Sequence, residues 1–369
     1  MPEPALTRAR ELADELIGGR AGDWDLAGRI PPEVLRTLGA RGLLCAQVPT
    51  AYGGPGLGSR DGGEFTAHVG SRCSSLRSVM TSQGMAAWTI QRLGGPGQRA
   101  AHLPRLVGGD LAAVGFSEDE AGSDLAAMTS EIRRDGDTVV LTGHKKWVTA
   151  AAYADLLVIV AKDGDGAAAV LVPATAPGVT VEPVAAPLGC RAAGHSDVRF
   201  HEVRLAADAV LGGGGQPLPL LVTTALAYGR MSVAWGCVGI LRACLAATTA
   251  HAGSRRQFGK PLAEHQLIGR HLAELYVAER SATRACEHAS DCWDASSPDV
   301  VVATVLAKHV SASGAARGAA SAVQVMASAG ARDDHVVARA YRDTKLMEII
   351  EGSSEICQLI LARHALTGS

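Results

Sequence analysis

The sequence lacks an excess of either charge, and it lacks any long uninterrupted apolar run. Lys and Arg number 35 against 37 for Asp and Glu, which gives a net charge of −2 and a pI of about 6.6. A chain so nearly balanced has no basic footprint for nucleic acid and no polybasic surface for a membrane. No apolar run approaches the roughly 18 to 20 residues that span a bilayer. We therefore expect neither nucleic acid nor a membrane among its partners.

Paired cysteine motifs and metal-binding histidine motifs are also missing. None of the 8 cysteines belongs to a CxxC pair, and no HExxH occurs among the 12 histidines. Several cysteines stand in apolar stretches such as VAWGCVGILRACLAA, which predicts scattered, mostly buried thiols and fits a reducing cytosol. The acidic, amphipathic N-terminus MPEPALTRARELADELIGG is not a secretory signal. We expect a cytoplasmic protein that uses no metal.

The hydrophobic pattern changes twice along the chain and predicts three parts. Residues 1–110 are expected to form a helical domain, because ALTRARELADELI and PEVLRTLGARGLL repeat apolar residues at helical spacing. Residues 111–216 contain short β-branched runs (TVVLTG, DLLVIVAK, AAAVLVP, VTVEP, DVRFHEVRL) without helices between them, which predicts an antiparallel sheet or small barrel. After the linker GGGGQPLP, residues 217–369 contain long Ala-rich helical segments, which predict a bundle that packs against other subunits. The expected class is α+β.

Two polar stretches of the middle part could hold a planar ligand. GFSEDEAGSDLAAMTSEI offers Ser117, Ser123 and open backbone around Gly122. In LTGHKKWVTAAA, Trp147 and Thr149 share one side of a predicted strand because side chains alternate. An indole face beside a hydroxyl suits a flat polar heterocycle. The alternative, a core tryptophan and an ordinary strand threonine, is favoured for that pair taken alone.

Two stretches of the C-terminal part allow a plain and a functional interpretation. In HAGSRRQFGKPLAEHQLIG, the residues Arg255, Gln257 and Phe258 could grip a pyrophosphate and stack on a base, or could simply form a solvated helix end. In MEIIEGSSEI, Glu351 could be a catalytic base in a dry pocket. The local pattern favours helix punctuation there, with Gly352 as a C-cap and a serine as the next N-cap.

The order of these segments resembles the acyl-CoA dehydrogenase family of flavoproteins over nearly the whole chain. The resemblance is carried by EDEAGSDL, KKWVT, RRQFGKPLAEHQ, RAYRDTKLMEIIEGSSEI and LARHAL, together with YGGPGLG, HLPRLVGGD, VRLAADAVLG and GRMSVAWGCVG. It implies an N-terminal all-α domain, a central antiparallel β domain and a C-terminal four-helix bundle. It also implies FAD as cofactor and a homodimer or homotetramer.

The resemblance implies roles for particular residues. The segments that match the family's FAD site contribute Phe116, Ser117, Gly122, Ser123, Trp147, Val148 and Thr149, with Thr149 near flavin N5. The segment that reaches FAD across a subunit interface contributes Arg255, Gln257 and Phe258, joined by Gln266 and Gln324, while Ser353 and Glu355 match contacts to the nucleotide part. The positions that line the acyl thioester are Ser123, Tyr228, Arg230, Ile350 and Gly352.

Glu351 matches the catalytic base of that family. Desaturation of an acyl thioester removes a proton at the α-carbon and a hydride at the β-carbon, and flavin N5 is the hydride acceptor. A carboxylate can take the proton if its site is dry enough to raise its pKa towards neutrality. Ile349 and Ile350 are expected to supply apolar neighbours, and Gly352 to leave room for the substrate.

Three departures from the family pattern point to an unusual substrate rather than a lost cofactor. Asp119 and Glu120 add negative charge near the expected flavin entrance. Ile350 stands where an aromatic residue is common, and Ala327–Ser328 replaces a usual Gly-Gly pair.

The resemblance is closest to enzymes that act on a three-carbon unit carried by an acyl carrier protein, on the route to hydroxymalonyl or methoxymalonyl polyketide extender units. The alternatives are an ordinary short- or branched-chain acyl-CoA dehydrogenase and a non-catalytic protein that binds acyl carrier protein. The electron acceptor, the choice between dimer and tetramer, and the origin of the proton that Glu351 takes (the α-carbon or a hydrate hydroxyl) stay open.

Overall fold

The N-terminal part of the protein is helical, as the sequence predicts. The computed structural model describes residues 3–367, and side chains are described for residues 6–367. The helices are α1 (Glu3–Ile17), α2 (Ala21–Ala27), α3 (Pro32–Gly39), α4 (Ser59–Arg72), α5 (Ser74–Leu93) and α6 (Pro96–Val107). The thiol of Cys73 caps α5 by accepting a hydrogen bond from the backbone N–H of Leu76 at 3.4 Å. Pro96 stands in the first turn of α6, where a missing N–H costs nothing.

The middle part is a curled seven-stranded sheet. Its strands are β1 (Ala112–Gly115), β2 (Glu131–Asp135), β3 (Thr138–Val148), β4 (Leu156–Asp163), β5 (Gly166–Pro173), β6 (Val179–Pro183) and β7 (Ser196–Ala206). The path runs β1-β4-β2-β3-β7-β6, and β5 pairs with β4. The predicted antiparallel arrangement describes most of the sheet, but β1 runs parallel to β4, and β2 touches β4 in parallel at one residue pair. Sequence patterns missed β1 because all four of its residues are buried and show no alternation.

The predicted linker is an ordered connection rather than a free spacer. Gln216 exchanges two backbone hydrogen bonds with Ala167 of β5, at 2.8 and 2.9 Å, and the N–H of Gly215 donates to Asp163 Oδ2 at 2.8 Å. Helix α7 (Leu218–Ser254) follows directly. The segment therefore fixes the start of α7 against the β4–β5 hairpin.

The C-terminal part is a helical bundle, as expected. A short hairpin, β8 (Arg256–Gln257) and β9 (Lys260–Pro261), separates α7 from α8 (Gln266–Asp294). Then come α9 (Val300–Met326), α10 (Val336–Ile349) and α11 (Ser354–Thr367). Helices α7 to α10 pack together, and α11 lies against α9.

Helix α7 is the centre of the molecule. It packs against α4 and α5 of the N-terminal part as well as α8, α9 and α10. Among the described residues it is the one helix long and apolar enough to cross a membrane by composition, yet 72% of its most apolar window is buried inside the protein. Its apolar character is therefore that of a core helix, and its Trp235 is fully buried.

The cysteines are scattered and unpaired, as predicted. All 8 are free thiols, and seven are buried, whereas Cys292 near the end of α8 is half-buried. Burial raises the pKa of the Cys45 thiol to about 12 and that of the Cys73 thiol to about 11. These thiols are unreactive packing groups.

Candidate active site

Glu351 lies at the break between α10 and α11. Helix α10 ends at Ile349 and α11 begins at Ser354. The backbone of Glu351 is left-handed, with φ 58°, and Gly352 follows with φ 90°. The predicted helix punctuation is present, but Ile350 rather than Gly352 is the C-cap, and Ser353 Oγ accepts from the N–H of Ile356 at 3.4 Å at the start of α11. A left-handed non-glycine residue is strained, and such strain is typical of functional sites.

The carboxylate of Glu351 is dry. The residue as a whole is half-buried, yet its Oε2 atom is buried and has no hydrogen-bond partner among residues 3–367. Burial raises the pKa of Glu351 to about 7, although the positive charges of Arg230, Lys308 and Arg77 act to lower it. A carboxylate with a pKa near neutrality suits a general base at physiological pH.

Gly229 of α7 makes room for this carboxylate. A Cβ atom built at Gly229 would lie 2.3 Å from Glu351 Oε2 and 2.8 Å from Met85 Sδ. Both distances are far inside van der Waals contact, so only glycine fits between the carboxylate and α5. The sequence signal for this residue is that it is one of four glycines inside the apolar helix α7, and a glycine inside a helix often has a packing reason.

Two buried cations hold the helix break in place. Lys308 Nζ donates to the carbonyl of Gly352 at 2.7 Å and to that of Glu348 at 3.3 Å. Arg230 Nε donates to the carbonyl of Glu351 at 3.0 Å. Both side chains are buried, at 0% and 5% exposure. They satisfy the carbonyls at the C-terminal end of α10 and so fix the direction of the Glu351 side chain.

The apolar surroundings of Glu351 differ from the expectation. Ile350 is half-buried and packs on the bundle core, but Ile349 is 55% exposed and supplies no apolar wall. Helical periodicity explains the difference, because Ile349 faces outward at the last turn of α10. Gly229 and Met85 take the place that the sequence assigned to Ile349.

Tyr228 lies on a different side of α7 from Gly229. Its hydroxyl donates to Gln47 Oε1 at 2.9 Å, and its ring lies so close to Gly84 that a Cβ there would be 2.3 Å away. Tyr228 lines a cavity of about 130 Å³ together with Trp88, Trp293 and Ser232. Neither Glu351 nor Gly229 is among the residues that line this cavity.

The segment after β1 is tied to β3 by a buried ion pair. Lys145 Nζ donates to Glu118 Oε1 at 2.6 Å and to the carbonyl of Phe116 at 3.0 Å, and both charged side chains are almost inaccessible. The N–H of Lys146 donates to the carbonyl of Ser117 at 2.8 Å. These bonds fix the backbone of Phe116 and Ser117. Beyond them, Gly122 and Ser123 are exposed.

The extra negative charge expected near the flavin entrance is partly compensated. Asp119 Oδ2 lies 3.0 Å from His144 Nε2, and Asp119 Oδ1 lies 3.5 Å from Lys146 Nζ. Strand β3 therefore brings basic side chains to the same edge as Asp119. Glu120 is exposed.

Trp147 is not a core tryptophan. It is 49% exposed, its backbone has φ 54°, and its N–H donates to Asp197 Oδ1 at 3.2 Å. The register between β3 and β7 shifts between Lys145 and Val148, so a β-bulge rather than strand alternation aims the indole outward. Val148 beside it is buried.

Thr149 lies close to the turn of α5 that leads to Glu351. Ser82 Oγ donates to the carbonyl of Thr149 at 2.9 Å, and Met85, three residues further along α5, meets Glu351 at Gly229. Three residues span about 4.5 Å along a helix. Thr149 and the Glu351 carboxylate therefore lie beside neighbouring turns of helix α5.

The β8–β9 hairpin projects from the bundle. Its two-residue turn consists of Phe258 and Gly259, both with positive φ, at 52° and 80°. Such a turn favours Asn-Gly, so a bulky aromatic residue there is costly. Phe258 is nevertheless 94% exposed.

The remaining predicted cofactor residues also face solvent in the single chain. The exposed set comprises Arg255, Gln257, Gln266, Gln324 and Glu355. Among the described residues, no hydrogen bond or ion pair joins the hairpin to Trp147 or Thr149. One chain alone does not bring the two halves of the predicted FAD site together.

Three models of the acyl-CoA dehydrogenase family match the chain in order. The N-terminal domain matches residues 4–110, the middle domain residues 113–203 and the C-terminal domain residues 220–366. The chain belongs to the acyl-CoA dehydrogenase family and is therefore an FAD-dependent oxidoreductase that acts on acyl thioesters. The helical, sheet and bundle architecture predicted from the sequence is confirmed.

Individual relatives match almost end to end. The chain is 31% identical to probable acyl-CoA dehydrogenase YngJ of Bacillus subtilis (strain 168), over 97% of this chain and 96% of that protein. A solved structure of FkbI, for biosynthesis of the methoxymalonyl extender unit of the Fk520 polyketide immunosuppressant, is 62% identical and covers 97% of this chain and 99% of its own, with a TM-score of 0.93. A glutaryl-CoA dehydrogenase from Mycobacterium smegmatis in complex with FADH2 is 27% identical, covers 99% and 94%, and has a TM-score of 0.92.

The residues of the middle domain fit the cofactor of this family. The outward-facing indole of Trp147, the hydroxyl of Thr149 and the fixed backbone of Phe116 and Ser117 are groups that suit a flat polar ring. The exposed Gly122 and Ser123 add open backbone, as a pyrophosphate requires.

Proposed function

We propose that this protein is an FAD-dependent dehydrogenase of polyketide extender-unit biosynthesis that acts on a three-carbon thioester carried by an acyl carrier protein. The likeness to FkbI, at 62% identity over nearly the full length of both chains, supports the pathway. The observation that carries the chemistry is the dry, unpartnered Oε2 of Glu351 at the helix break. That oxygen atom can accept a proton from a bound substrate.

The reaction we favour oxidises the C3 hydrate of a 2-hydroxy-3-oxopropionyl thioester. The C3 carbon loses a hydride and the hydrate loses a proton, so that the C3 carboxylic acid of a hydroxymalonyl thioester results. Bound FAD supplies the two-electron sink for that hydride. Glu351 takes the proton either from a hydrate hydroxyl, which gives the acid directly, or from the α-carbon, which gives the enol of that acid and then the acid by tautomerisation. Arg230 and Lys308 hold the base in place through the carbonyls of Glu351 and Gly352.

The residues that we propose to hold FAD lie on two surfaces. The first set comprises Phe116, Ser117, Gly122, Ser123, Trp147 and Thr149, together with the buried Val148 between the last two, and Thr149 is assigned to the N5 edge of the flavin. Arg255, Gln257, Phe258, Gln266 and Gln324 form the second, with Ser353 and Glu355 nearby on the chain. Because the second surface is exposed in one chain, we propose that it completes the FAD site of a partner copy. The protein is then at least a homodimer, in the cytoplasm.

An ordinary short- or branched-chain acyl-CoA dehydrogenase is the competing function. It is supported by likeness to human short-chain specific acyl-CoA dehydrogenase, at 29% identity over 98% of this chain, and to a butyryl-CoA dehydrogenase structure at 25% identity. A protein that binds an acyl carrier without turnover is not retained, because the family members are FAD-dependent oxidoreductases.

Anaerobic bleaching of the bound flavin by a panel of thioesters tests the proposal. We expect bleaching with the 2-hydroxy-3-oxopropionyl carrier protein and none with butyryl-CoA. Glu351→Gln should keep FAD and slow the bleaching by roughly 10² to 10⁴-fold, as for loss of a general base. Glu348→Gln is the matched control, because that carboxylate pairs with Lys345 on the same helix and should leave the rate unchanged.

Two results would contradict the proposal at different levels. Bleaching by butyryl-CoA without bleaching by the three-carbon carrier thioesters would replace the extender-unit function with the competing one. Undiminished bleaching in Glu351→Gln would remove Glu351 from the role of base.

A further inference from the structure

The β-bulge that turns the Trp147 indole outward has a single residue of β7 opposite it. On β3 the paired residues on either side of the bulge, Lys145 and Val148, are three apart, whereas their partners on β7 are only two apart. Lys146 and Trp147 therefore face one residue of β7, which is Asp197. Without the bulge, Trp147 would point to the same side as Lys145, whose side chain is fully buried. The bulge is thus the reason that the indole is available to a ligand.

Both N–H groups of the bulge find partners outside the strand ladder. The N–H of Lys146 donates to the carbonyl of Ser117 at 2.8 Å, and the N–H of Trp147 donates to Asp197 Oδ1 at 3.2 Å. The Asp197 carboxylate thus replaces the backbone acceptor that a regular strand would offer to Trp147. The backbone of Trp147 is left-handed, with φ 54°. A non-glycine residue is strained in that conformation, which persists only where the surroundings hold it.

The Asp197 carboxylate is itself held at both oxygens. Lys146 Nζ donates to Asp197 Oδ2 at 2.5 Å and also lies 3.5 Å from Asp119 Oδ1. Burial acts to raise the pKa of Asp197, but the hydrogen bonds from Lys146 and from the N–H of Trp147 lower it below its ordinary value. Asp197 is therefore ionised at neutral pH, and a hydrogen bond to an ionised acceptor is stronger than one to a neutral acceptor.

We propose that Asp197 is a positioning residue that holds the bulge of β3 and so presents the Trp147 indole to the flavin ring. The inference rests on the proposed placement of Trp147 at the flavin. Without the carboxylate, the N–H of Trp147 loses its partner, and the strained backbone relaxes towards an extended conformation that turns the indole away. The flavin then loses a stacking surface. The rest of the sheet keeps its pairing, because β7 lies between β3 and β6.

Three substitutions of Asp197 test this role without relying on turnover. Asp197→Ala and Asp197→Val remove the acceptor, whereas Asp197→Asn keeps an amide oxygen that can accept from the same N–H. The readouts are the FAD dissociation constant, from titration of the apoprotein, and the visible circular dichroism of the bound flavin. We expect the two apolar variants to bind FAD about tenfold more weakly, the size of one hydrogen bond to an ionised group. Their flavin dichroism should change as it does in Trp147→Ala, and Asp197→Asn should restore most of both properties.

Two controls separate positioning from a general loss of folding. Asp135→Ala removes another carboxylate of the same sheet, which accepts from Arg204 of β7 at 3.2 Å but faces no bulge, and it should leave FAD affinity and flavin dichroism unchanged. Urea unfolding of each apoprotein shows that the variants are folded. Valine is included beside alanine because a β-branched residue favours a strand, so that one apolar variant remains usable if the other is unstable. In the Trp147→Ala background, Asp197→Ala should add nothing.

The outcomes separate this inference from the proposed function. If Trp147→Ala changes neither FAD affinity nor flavin dichroism, Trp147 is not at the flavin and the proposed placement fails. If Trp147→Ala changes both but the apolar variants of Asp197 change neither, the inference about Asp197 alone is overturned. The same holds if Asp197→Asn behaves like Asp197→Ala, because the accepted hydrogen bond is then not what matters, or if the effects of the two substitutions add.

Discussion

Glu351 combines two features that oppose folding, namely a left-handed backbone and a buried carboxylate oxygen, Oε2, that finds no hydrogen-bond partner in the described part of the chain. Neither feature stabilises the protein, and each costs free energy of the order of 1–3 kcal/mol. Buried Lys308 and Arg230 offset part of this cost by binding the carbonyls around the break. The site is therefore maintained by its surroundings, at the expense of stability.

The buried carboxylate makes stability depend on pH in a defined direction. Burial raises the pKa of Glu351 from 4.5 to about 7, so its protonated form is favoured by folding. The stability that the protonated Glu351 contributes is fully present below pH 4.5 and is lost as pH rises through 7. The free energy of unfolding is then lower by about 3 kcal/mol at alkaline pH. Urea unfolding of the apoprotein should show Glu351→Gln gaining stability over the unmutated protein between pH 5 and pH 8. An equal difference at both pH values would show that the carboxyl is not desolvated.

Contacts between residues that are far apart in the sequence could not be predicted from local sequence patterns. Glu351 and Trp147 stand in local motifs that a resemblance can identify. Gly229 and Lys145 also stand in such motifs, but the motifs do not report that these residues contact Glu351 and Glu118 far away in the sequence. Lys308 binds the carbonyl of Gly352, and its own neighbourhood shows only a charged residue in an apolar helix.

At the scale of elements, the pairing of α5 with α7 builds the wall of the site. The helices run antiparallel, since Met85 meets Gly229, Thr81 Oγ1 lies 2.7 Å from Ser232 Oγ, and Arg77 lies against Gly236. Small residues recur along this face of α7 and allow the two backbones to approach. At the carboxylate, the α7 residue that stands between Met85 and Glu351 is Gly229.

Gly229→Ala tests how closely the wall is fitted. The added Cβ would lie 2.3 Å from Glu351 Oε2 and must push the carboxylate aside. Displacement of a catalytic group by about 1 Å costs on the order of 100-fold in rate, so we expect kcat to fall by that factor while FAD stays bound. Gly253→Ala, on the same helix with nothing within 4 Å of the added Cβ, is the matched control and should leave kcat unchanged. A normal rate in Gly229→Ala would place the productive carboxylate away from α7.

Helix and strand periodicity predicted most elements, and the failures have physical causes. Strand β1 is too short and too evenly buried to alternate, and its parallel pairing with β4 depends on contacts across the sheet. The β8–β9 hairpin was expected only as a helix end, because Phe258 is not a residue that favours a turn with positive φ.

At the scale of the whole molecule, the exposed hairpin makes a single chain look incomplete. Phe258 is 94% exposed at a strained backbone position, and this arrangement adds no stability to a monomer. No sequence pattern reports which surface meets a second copy, so the interface could be expected only from the resemblance.

Phe258→Ala tests whether the hairpin completes the cofactor site of a partner. Since the side chain is 94% exposed, the substitution should leave unfolding of the apoprotein unchanged but weaken FAD binding about tenfold. The FAD affinity of the unmutated protein should also rise with protein concentration. Fluorescence titration measures the affinity, and light scattering measures the oligomeric state. Leu26→Ala, at a residue 57% exposed on α2, is the control. Tight FAD binding by a demonstrable monomer would contradict the shared site.

The cysteines differ in accessibility, so that a single thiol can be labelled selectively. Seven cysteines are sealed in the core, and Cys292 alone is partly accessible, next to the Trp293 ring that lies 4.8 Å from Trp88. A maleimide dye added to the unmodified chain should therefore attach at one position, beside the cavity that Trp88 of α5 and Trp293 of α8 line. Quenching of that dye by the neighbouring indoles would follow movements between these two helices during turnover, without any engineered cysteine.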